Sequence, residues 1–408
     1  MPKSIWLLTI GMMINVTGIS FIWPLNTIFI HQELGKPLTL AGLVLVFNAG
    51  AGVVGSLAGG RLFDRIGGYY TIILGICITI ASSVALSLYH TFYIYASLLA
   101  GIGLGTGMVF PALYALAASV WPEGGRRPFN AMYVSQNVGV AIGTASAGVI
   151  ASLRIDLIFL ATALTYVLFL GLVLYSYNRL SVRNSSFSGV AIAVESAPVK
   201  SKKRIRSLIL LSSAFLICWI AYVQWQSNIS VHVQNLGISL AEYSMLWTIN
   251  GVMIVVFQPF MALFIKKAVK SLKAQIVTGI VIFMISFYVL SQAEVFTAFV
   301  IAMVILTIGE MFVWPAVPTV AHQLAPKGRE GYYQGIINSV ATGGRMIGPF
   351  AGGITVDLVG IEFLFILLLF MFFIAIAAAA TYDLPLKQGK KKPQQYTGKI
   401  MFISFRVW

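Results

Sequence analysis

Long apolar stretches alternate with short polar segments along the whole of this chain. A helix of about 20 apolar residues crosses the roughly 30 Å hydrocarbon core of a bilayer. The pattern therefore predicts twelve membrane-spanning helices, near residues 5–30, 40–62, 70–89, 92–120, 129–153, 157–177, 208–231, 243–265, 274–290, 296–320, 332–356 and 363–382. The first stretch is too long for a cleaved signal peptide, so we expect it to remain as the first helix.

The two halves of the chain repeat one another. Gly105 and Pro111 recur 204 positions later as Gly309 and Pro315, which is half of the 408 residues. Membrane transporters are commonly built from such internal repeats. We predict an all-α integral membrane protein of two six-helix bundles, residues 1–178 and 208–383, joined by a flexible, basic cytoplasmic linker at 179–207 and followed by a cytoplasmic tail at 384–408.

Composition agrees with a membrane location. Hydrophobic residues make up 59% of the chain, charged residues only 10%, and the mean hydropathy is +0.90. A soluble domain of this length does not expose so little charge to water. The lipid bilayer is therefore the first partner that the sequence predicts.

Charge predicts the orientation. With Met1 in the cytoplasm, all but three of the 27 Lys and Arg residues lie in the tails and cytoplasmic loops; the exceptions are Lys36 and Arg154 outside and Arg345 within a span. This arrangement satisfies the positive-inside rule with both termini cytoplasmic. The net charge of +15 is spread over loops that face anionic lipid, so it does not indicate a nucleic-acid partner. We expect a multi-pass protein of the cell membrane.

A glycine-flanked charged motif lies between the second and third spans. Gly60 and Gly67 permit a tight turn between helices, and Asp64 can accept hydrogen bonds from a neighbouring helix N-terminus or from a cationic side chain. Arg65 can pair locally or face lipid phosphate. The plain alternative is an ordinary cytoplasmic turn with solvated charges.

This motif, Gly-x-Leu-x-Asp-Arg-x-Gly between spans two and three of twelve, resembles the signature loop of the major facilitator superfamily. The six-plus-six repeat and the basic central linker resemble that family as well. The resemblance implies that Asp64 is part of a latch that holds the two bundles together on the cytoplasmic side of an outward-facing transporter. Gly68 stands where many members carry another arginine, so one cationic partner of the latch is either missing or supplied by Arg126 or Arg127.

Prolines and glycines inside the spans predict helix bending. Pro111 and Pro315 interrupt spans four and ten, while Gly344, Gly348 and Pro349 bend and closely pack span eleven. The last three belong to a string that resembles a glycine–proline pattern of drug:proton antiporters in the same family. That pattern usually lies in span five, which here contains no proline.

Two charges lie near the predicted bilayer midplane, Glu310 in span ten and Arg345 in span eleven. Each costs roughly 2.5 to 3.5 kcal/mol or more to insert, so such groups normally pair or line a cavity. One interpretation is a permanent ion pair that fixes helix packing. The other is a proton site at Glu310 whose affinity for the proton changes when Arg345 or a substrate approaches.

Polar and aromatic residues in the spans outline a candidate substrate cavity. The candidates are Asn15, Asn26, Asn48, Tyr114, Tyr133, Gln136, Asn137, Gln224, Asn228, Asn250, Trp314 and Asn338. Each alone is also a plausible packing contact between helices. Trp219, Trp225 and Trp247, with 14 methionines, suit an adaptable apolar pocket.

The chain carries no residue set with zinc-ligand spacing and no phosphate-binding Gly-x4-Gly-Lys-Ser/Thr loop. We therefore predict no metal, no cofactor and no enzymatic activity, and we expect a monomer. The favoured function is proton-coupled export of small amphipathic or cationic organic compounds. Alternatives within the same fold are a sugar or metabolite uniporter or symporter and a lipid-linked flippase; a transport-inactive receptor or scaffold is a further one.

Overall fold

Membrane-length helices account for most of the chain. The computed structural model describes residues 1–22, 26, 29–36, 38–89, 91–188, 198–269 and 271–387, and these include no β-strand. The α-helices are α1 Lys3–Ile22, α2 Leu38–Ile66, α3 Gly68–Leu88, α4 Phe92–Val120, α5 Arg127–Leu153, α6 Leu157–Ser188, α7 Pro198–Tyr222, α8 Asn228–Asn235, α9 Leu240–Ala268, α10 Leu272–Ser291, α11 Phe296–Leu324, α12 Glu330–Val359, α13 Ile361–Thr381 and α14 Leu384–Lys387. Single turns of 3₁₀-helix at Pro122–Gly124 and Val223–Gln226 and of π-helix at Phe29–Glu33 complete the list.

The predicted all-α membrane fold is confirmed. Eleven spans among the described residues are long and apolar enough to cross a bilayer, with α7 and α8 forming one of them. The remaining helix, α12, is 30 residues long but less apolar, because it carries amide, hydroxyl and guanidinium groups. Since α12 packs against α2, α4 and α7 rather than standing alone, we count it as the twelfth span.

One span is broken, which the apolar pattern did not predict. In place of a continuous helix over 208–231, α7 ends at Tyr222, a 3₁₀ turn follows, and α8 begins at Asn228. Gln224 donates to the backbone oxygen of Gly348 at 2.8 Å, and Asn228 donates to the side-chain oxygen of Gln224 at 2.6 Å. Side-chain amides thus supply hydrogen bonds at the break. Within a membrane, backbone groups that lose their helical partners need such replacements, because no water is there to bind them. In the first predicted span, 5–30, the described α-helix covers residues 5–22, and residues 23–25 lie outside the described residues.

The predicted linker is shorter than the polar sequence indicated. Residues 179–188 continue α6 and residues 198–207 begin α7, so both ends of the segment are helical rather than flexible. A helix that has already formed extends at little cost, and α6 reaches 32 residues, well beyond the roughly 20 that the bilayer needs. The middle of the linker, 189–197, and the tail beyond 387 lie outside the described residues.

The two bundles meet most closely along α2 and α12. Small residues recur every four positions on α2, at Gly52, Ser56 and Gly60. On α12, Gly331 lies against Gly60, Gly335 against Ser56 and Thr342 against Gly52. A Cβ atom added at Gly60 would collide with the backbone oxygen of Gly331. Glycine is therefore needed here for backbone-to-backbone approach, as in other small-residue contacts between membrane helices. We call this contact the α2–α12 seam.

We predict that Gly60→Ala weakens the α2–α12 seam by roughly 1–3 kcal/mol, because the added methyl group overpacks a backbone contact. A cysteine introduced at Ser339, which is 8% exposed, would then react faster with a maleimide in a Cys77→Ser background. Gly50→Ala is the matched control, because no atom lies within 4 Å of a Cβ added at that position of the same helix. Equal labelling rates in the two variants would contradict the prediction.

Candidate functional site

The carboxylate of Asp64 lies at the end of the α2–α12 seam. Its two oxygens accept hydrogen bonds from the backbone N–H groups of Gly331 and Tyr332, at 2.8 and 2.9 Å. These groups lie in the first turn of α12, where helical N–H groups have no partner within the helix. Asp64 therefore caps a helix of the opposite bundle. Of the two kinds of partner that the sequence allowed, the structure shows the helix N-terminus.

The rest of the charged loop supports this geometry without pairing with Asp64. Gly67 adopts a φ of +85° at the start of α3, which favours glycine. Arg65 is exposed, and among the described residues Asp64 forms no ion pair. Of the two alternatives for the cationic partner, supply by Arg126 or Arg127 is not observed at Asp64 in this conformation, because Arg126 has other acceptors and Arg127 lies over the ring of Trp121.

Arg126 joins the bundles at a second point. Its guanidinium donates to the side-chain oxygen of Gln275 at 2.6 Å and to the backbone oxygens of Met311 and Phe312. The oxygen of Met311 is available because residue 315 is a proline, which has no N–H to complete the helical bond four residues on. Burial lowers the pKa of Arg126 to about 10, so the side chain remains charged at neutral pH.

Hydrogen bonds between the bundles cover one half of the interface. They run from Asp64 along the seam to Asn338, which donates to Ser56 at 2.7 Å, and to Ser339, which donates to the oxygen of Val53. Between described residues we find no inter-bundle hydrogen bond beyond Val53 toward the start of α2. The bundles are therefore held together at the end that carries Asp64 and Arg126.

Glu310 lies in the interface between the two bundles. It is 2% exposed, and its carboxylate accepts from the hydroxyl of Tyr133 at 3.1 Å and from the amide of Asn250 at 2.6 Å. Tyr222 and Trp314 are also placed to donate to it. Tyr133 belongs to the first bundle and the other residues to the second. Glu310 thus receives neutral donors from both bundles.

The ion pair between Glu310 and Arg345 does not form, so that interpretation is wrong for this conformation. The three ion pairs among the described residues involve neither side chain. The Arg345 guanidinium instead lies over the ring of Trp219, with its carbon 4.8 Å from the ring centroid. A further bond of 3.3 Å reaches the hydroxyl of Thr342. Stacking on an indole stabilises a guanidinium without a carboxylate.

Aromatic rings connect Arg345 to the surroundings of Glu310. Trp219 stacks on Trp314, with ring centroids 4.7 Å apart and an angle of 2° between the planes. Tyr222 packs edge-on against both rings, and its own centroid lies 6.0 Å from that of Trp247. Arg345 has an exposed surface although protein atoms surround it on most sides, so it borders a space that a ligand or solvent can reach. We call these four rings with Arg345 the aromatic cluster.

Several predicted cavity residues bond within their own bundle instead. Asn15 and Asn26 are buried and accept hydrogen bonds from Tyr166 and Tyr95, so they are packing residues of the first bundle. Five further candidates also contact their own bundle. Tyr114 donates a hydrogen bond to Gln136, and Asn137 donates to the backbone of its own helix. Gln224 and Asn228 form hydrogen bonds at the break in span seven, and Asn48 packs against Gly103. Tyr133, Asn250 and Trp314 surround Glu310, and Asn338 belongs to the seam.

The predicted helix-bending residues all lie inside continuous helices. Pro111, Pro315 and Pro349 are interior to α4, α11 and α12. Gly344 and Gly348 pack against α7, where added Cβ atoms would meet Trp219 and Val223. Their placement brings α12 close enough to α7 for Arg345 to reach Trp219.

Some site residues could not be predicted from the sequence. Tyr222 and Thr307 contact the Glu310 group, and Gln275 contacts Arg126, yet none is charged or part of a motif. A usable signal was present for Ser56, because the four-residue spacing of Gly52, Ser56 and Gly60 is typical of helix pairs in membranes. Trp225, expected to line an apolar pocket, is fully buried in the second bundle.

Comparisons with known proteins agree with this architecture. The family model of the Major Facilitator Superfamily matches residues 8–232 and 210–406. The MFS-type transporter YttB of Bacillus subtilis (strain 168) is 52% identical over 395 residues, which cover 97% of this chain and 99% of that protein.

Two solved structures share the fold at low identity. A bacterial homologue of the iron transporter ferroportin, in an outward-facing state, has a TM-score of 0.77 at 11% identity and covers 93% of this chain and 99% of its own. The human organic anion transporter MFSD10 (TETRAN) has a TM-score of 0.71 at 13% identity, with coverage of 93% and 100%. Such identities compare the folds alone.

We predict that Arg126→Gln destabilises the closed interface by about 1–3 kcal/mol, because it leaves buried backbone oxygens without a donor. Thermal unfolding of the purified protein, together with cysteine labelling at the interface, would measure the effect. Arg127→Gln is the matched control, because Arg127 is exposed and surface substitutions usually change stability by no more than about 0.5 kcal/mol.

A double-mutant cycle tests the origin of the acceptor. Pro315→Ala restores an N–H group that can bond to the oxygen of Met311, so Arg126→Gln is expected to cost less in that background than in the wild-type chain. Unfolding temperatures of the four proteins give the coupling energy. Independent, additive effects of the two substitutions would show that the proline does not supply the acceptor.

Proposed function

The chain belongs to the Major Facilitator Superfamily, and on that premise we propose that it is a monomeric, proton-coupled transporter of small amphipathic organic compounds in the cell membrane. The observation that carries the proton coupling is Glu310. Its carboxyl group is buried in the interface between the bundles, accepts hydrogen bonds from both of them, and forms no ion pair with a described residue.

The environment of this carboxylate favours uptake of a proton. Charge within the hydrocarbon region is expensive, and neutral donors offset less of that cost than a paired cation does. Taking up a proton removes the charge and converts one acceptor oxygen into a donor. Tyr133, whose hydroxyl donates to Glu310 across the interface, then loses its charged acceptor. Protonation thereby changes a contact between the two rocking bodies.

The end at which the bundles are joined indicates the side of the membrane to which the site is open. The contacts of Asp64 and Arg126 close the end of the interface that the charge pattern assigns to the cytoplasm. We therefore assign this conformation to the outward-facing state, with Asp64, Gly60 and Arg126 as the latch. Protons and cargo would reach Glu310 and the aromatic cluster from outside, and separation of the latch would release them inside.

Two directions of coupling are candidates. Export by proton antiport requires cargo and proton to compete, as a lipophilic cation attracted to Glu310 would. The geometry favours that cargo less, because Glu310 is 2% exposed and its oxygens are occupied. Co-transport of cargo with a proton is the second candidate. It is favoured by the exposed Arg345, which has no carboxylate beside it in the described structure.

We predict that Glu310→Gln abolishes the component of transport that a pH gradient drives, because glutamine keeps the shape but exchanges no proton. The assay uses proteoliposomes with an imposed pH gradient and two fluorescent probes, ethidium and carboxyfluorescein. Two ionisable side chains lie next to Glu310, Tyr133 of α5 and Tyr222 of α7. Behind Tyr133 lies Tyr114 of α4, and near Tyr222 lie Tyr243 of α9 and Arg345 of α12. Tyrosine and arginine keep their protons at neutral pH in model compounds, so Glu310 is the natural carrier.

Glu294→Gln serves as the control, because Glu294 is an exposed carboxylate in the loop between α10 and α11. It should transport as the wild-type chain does. Full gradient-driven transport by the Glu310→Gln variant would remove Glu310 from the coupling mechanism while leaving the family assignment intact.

A further inference from the structure

Arg345 is a cation inside the molecule that forms no ion pair with any described residue. Apart from Glu310, the acidic residues of the described spans lie toward helix ends and loops, as Asp64 does. Asp64 is engaged by the N-terminus of α12, and Glu310 is enclosed by Tyr133 and Asn250. No described carboxylate forms an ion pair with Arg345. The insertion cost of this charge is thus offset by solvent and by an aromatic ring.

The guanidinium is held in place, and most of its N–H groups have no hydrogen-bond partner among the described residues. Its flat face lies over Trp219, and one of its five N–H groups reaches Thr342 at a long 3.3 Å. Trp219 is itself fixed by its parallel stack on Trp314. A guanidinium held by its face keeps its edge available for planar, two-point binding of a carboxylate or phosphate.

The surroundings match an apolar group attached to such an anion. Trp219, Tyr222 and Trp247 are each only partly buried, and they lie in a continuous series of ring contacts beginning at the face under Arg345. Exposed aromatic faces bind flat or alkyl groups by stacking and apolar contact. A charged edge next to an aromatic surface describes an amphipathic ligand with one anionic end.

We propose that the cargo is an amphipathic organic anion whose acidic group binds the edge of Arg345 and whose apolar part packs on the aromatic cluster. This inference rests on the proposed transport function and specifies its substrate class. Arg345 is then a substrate-binding residue rather than half of a structural ion pair. The proposal replaces the cationic cargo suggested by a midplane carboxylate.

An anionic cargo also determines the sign of its coupling to protons. Removing the negative charge of Glu310 strengthens binding of an anion nearby, and by linkage the bound anion strengthens binding of the proton. Tyr222 lies within electrostatic reach of both Glu310 and Arg345, so the two sites are close enough to interact. Proton and cargo are therefore expected to bind together, which is the condition for co-transport.

The test compares three probes that share one ring system: indole-3-propionate is an anion, its methyl ester is neutral, and tryptamine is a cation. Binding to the purified full chain is measured by calorimetry and by thermal shift. The wild-type chain is expected to bind the carboxylate most tightly. Arg345→Gln should weaken carboxylate binding about tenfold or more while leaving the ester unchanged, because it removes charge-assisted hydrogen bonds.

Two variants separate charge from folding. Arg345→Lys keeps the charge but not the planar edge, so it should retain a weaker preference for the carboxylate. Arg206→Gln removes an exposed arginine from α7 and should bind all three probes normally. The proposal is overturned if Arg345→Gln keeps the carboxylate preference, or if the wild-type chain prefers tryptamine or does not distinguish acid from ester.

A lipid phosphate offers the same anionic chemistry, and micelles containing phosphatidylglycerol or phosphatidylcholine distinguish it. Stabilisation that depends on Arg345 and appears with phosphatidylglycerol, but not with indole-3-propionate, would assign the site to lipid and overturn the small-molecule cargo. The proton proposal is read separately, since Glu310→Gln should keep the preference for the carboxylate whichever way its transport assay turns out.

Discussion

The two hydrogen bonds from the start of α12 to the carboxylate of Asp64 are the contact on which the arrangement of the bundles depends. They place an anion of one bundle on the unpaired N–H groups and positive dipole end of a helix in the other. Because Gly60 and Gly331 allow the backbones to touch just beside it, the same contact aligns the whole seam as far as Ser339. The position of Arg345, six residues beyond Ser339 on α12, follows from that alignment.

The two halves share the glycines and prolines that set helix packing, but they do not share the charged residues of the interface. The positions equivalent to Glu310 and Arg345 in the first half are Thr106 and Ala141, and the position equivalent to Asp64 in the second half is Ala268. The first bundle contributes the side chains of Asp64, Arg126 and Tyr133 to the interface. In the second bundle, backbone groups and the side chains of Gln275 and Glu310 bind them. Each bundle is therefore incomplete on its own.

Features that depend on hydropathy and backbone chemistry were predictable, whereas features that depend on side-chain direction were not. Eleven of the spans are confirmed by length and apolar composition, and the capping role of Asp64 follows from its carboxylate between two helices. The break after Tyr222 was hidden, because Val223, Trp225 and Ile229 remain apolar through it. Sequence also placed Glu310 and Arg345 at the same depth, which suggested a pair. It contained no information that Trp219, more than 100 residues away, would occupy the face of the guanidinium.

Pro315 has a consequence for the rate at which the two bundles can separate. The oxygen of Met311 lacks its helical partner in every conformation, since no rearrangement gives proline an N–H group. When Arg126 withdraws, that oxygen must find water or remain unsatisfied, so the separation of the bundles begins with an energetic barrier at one backbone atom. In transporters and enzymes alike, such opening steps often limit turnover. If the bundles separate as proposed, Pro315 therefore helps to set how often the protein changes state.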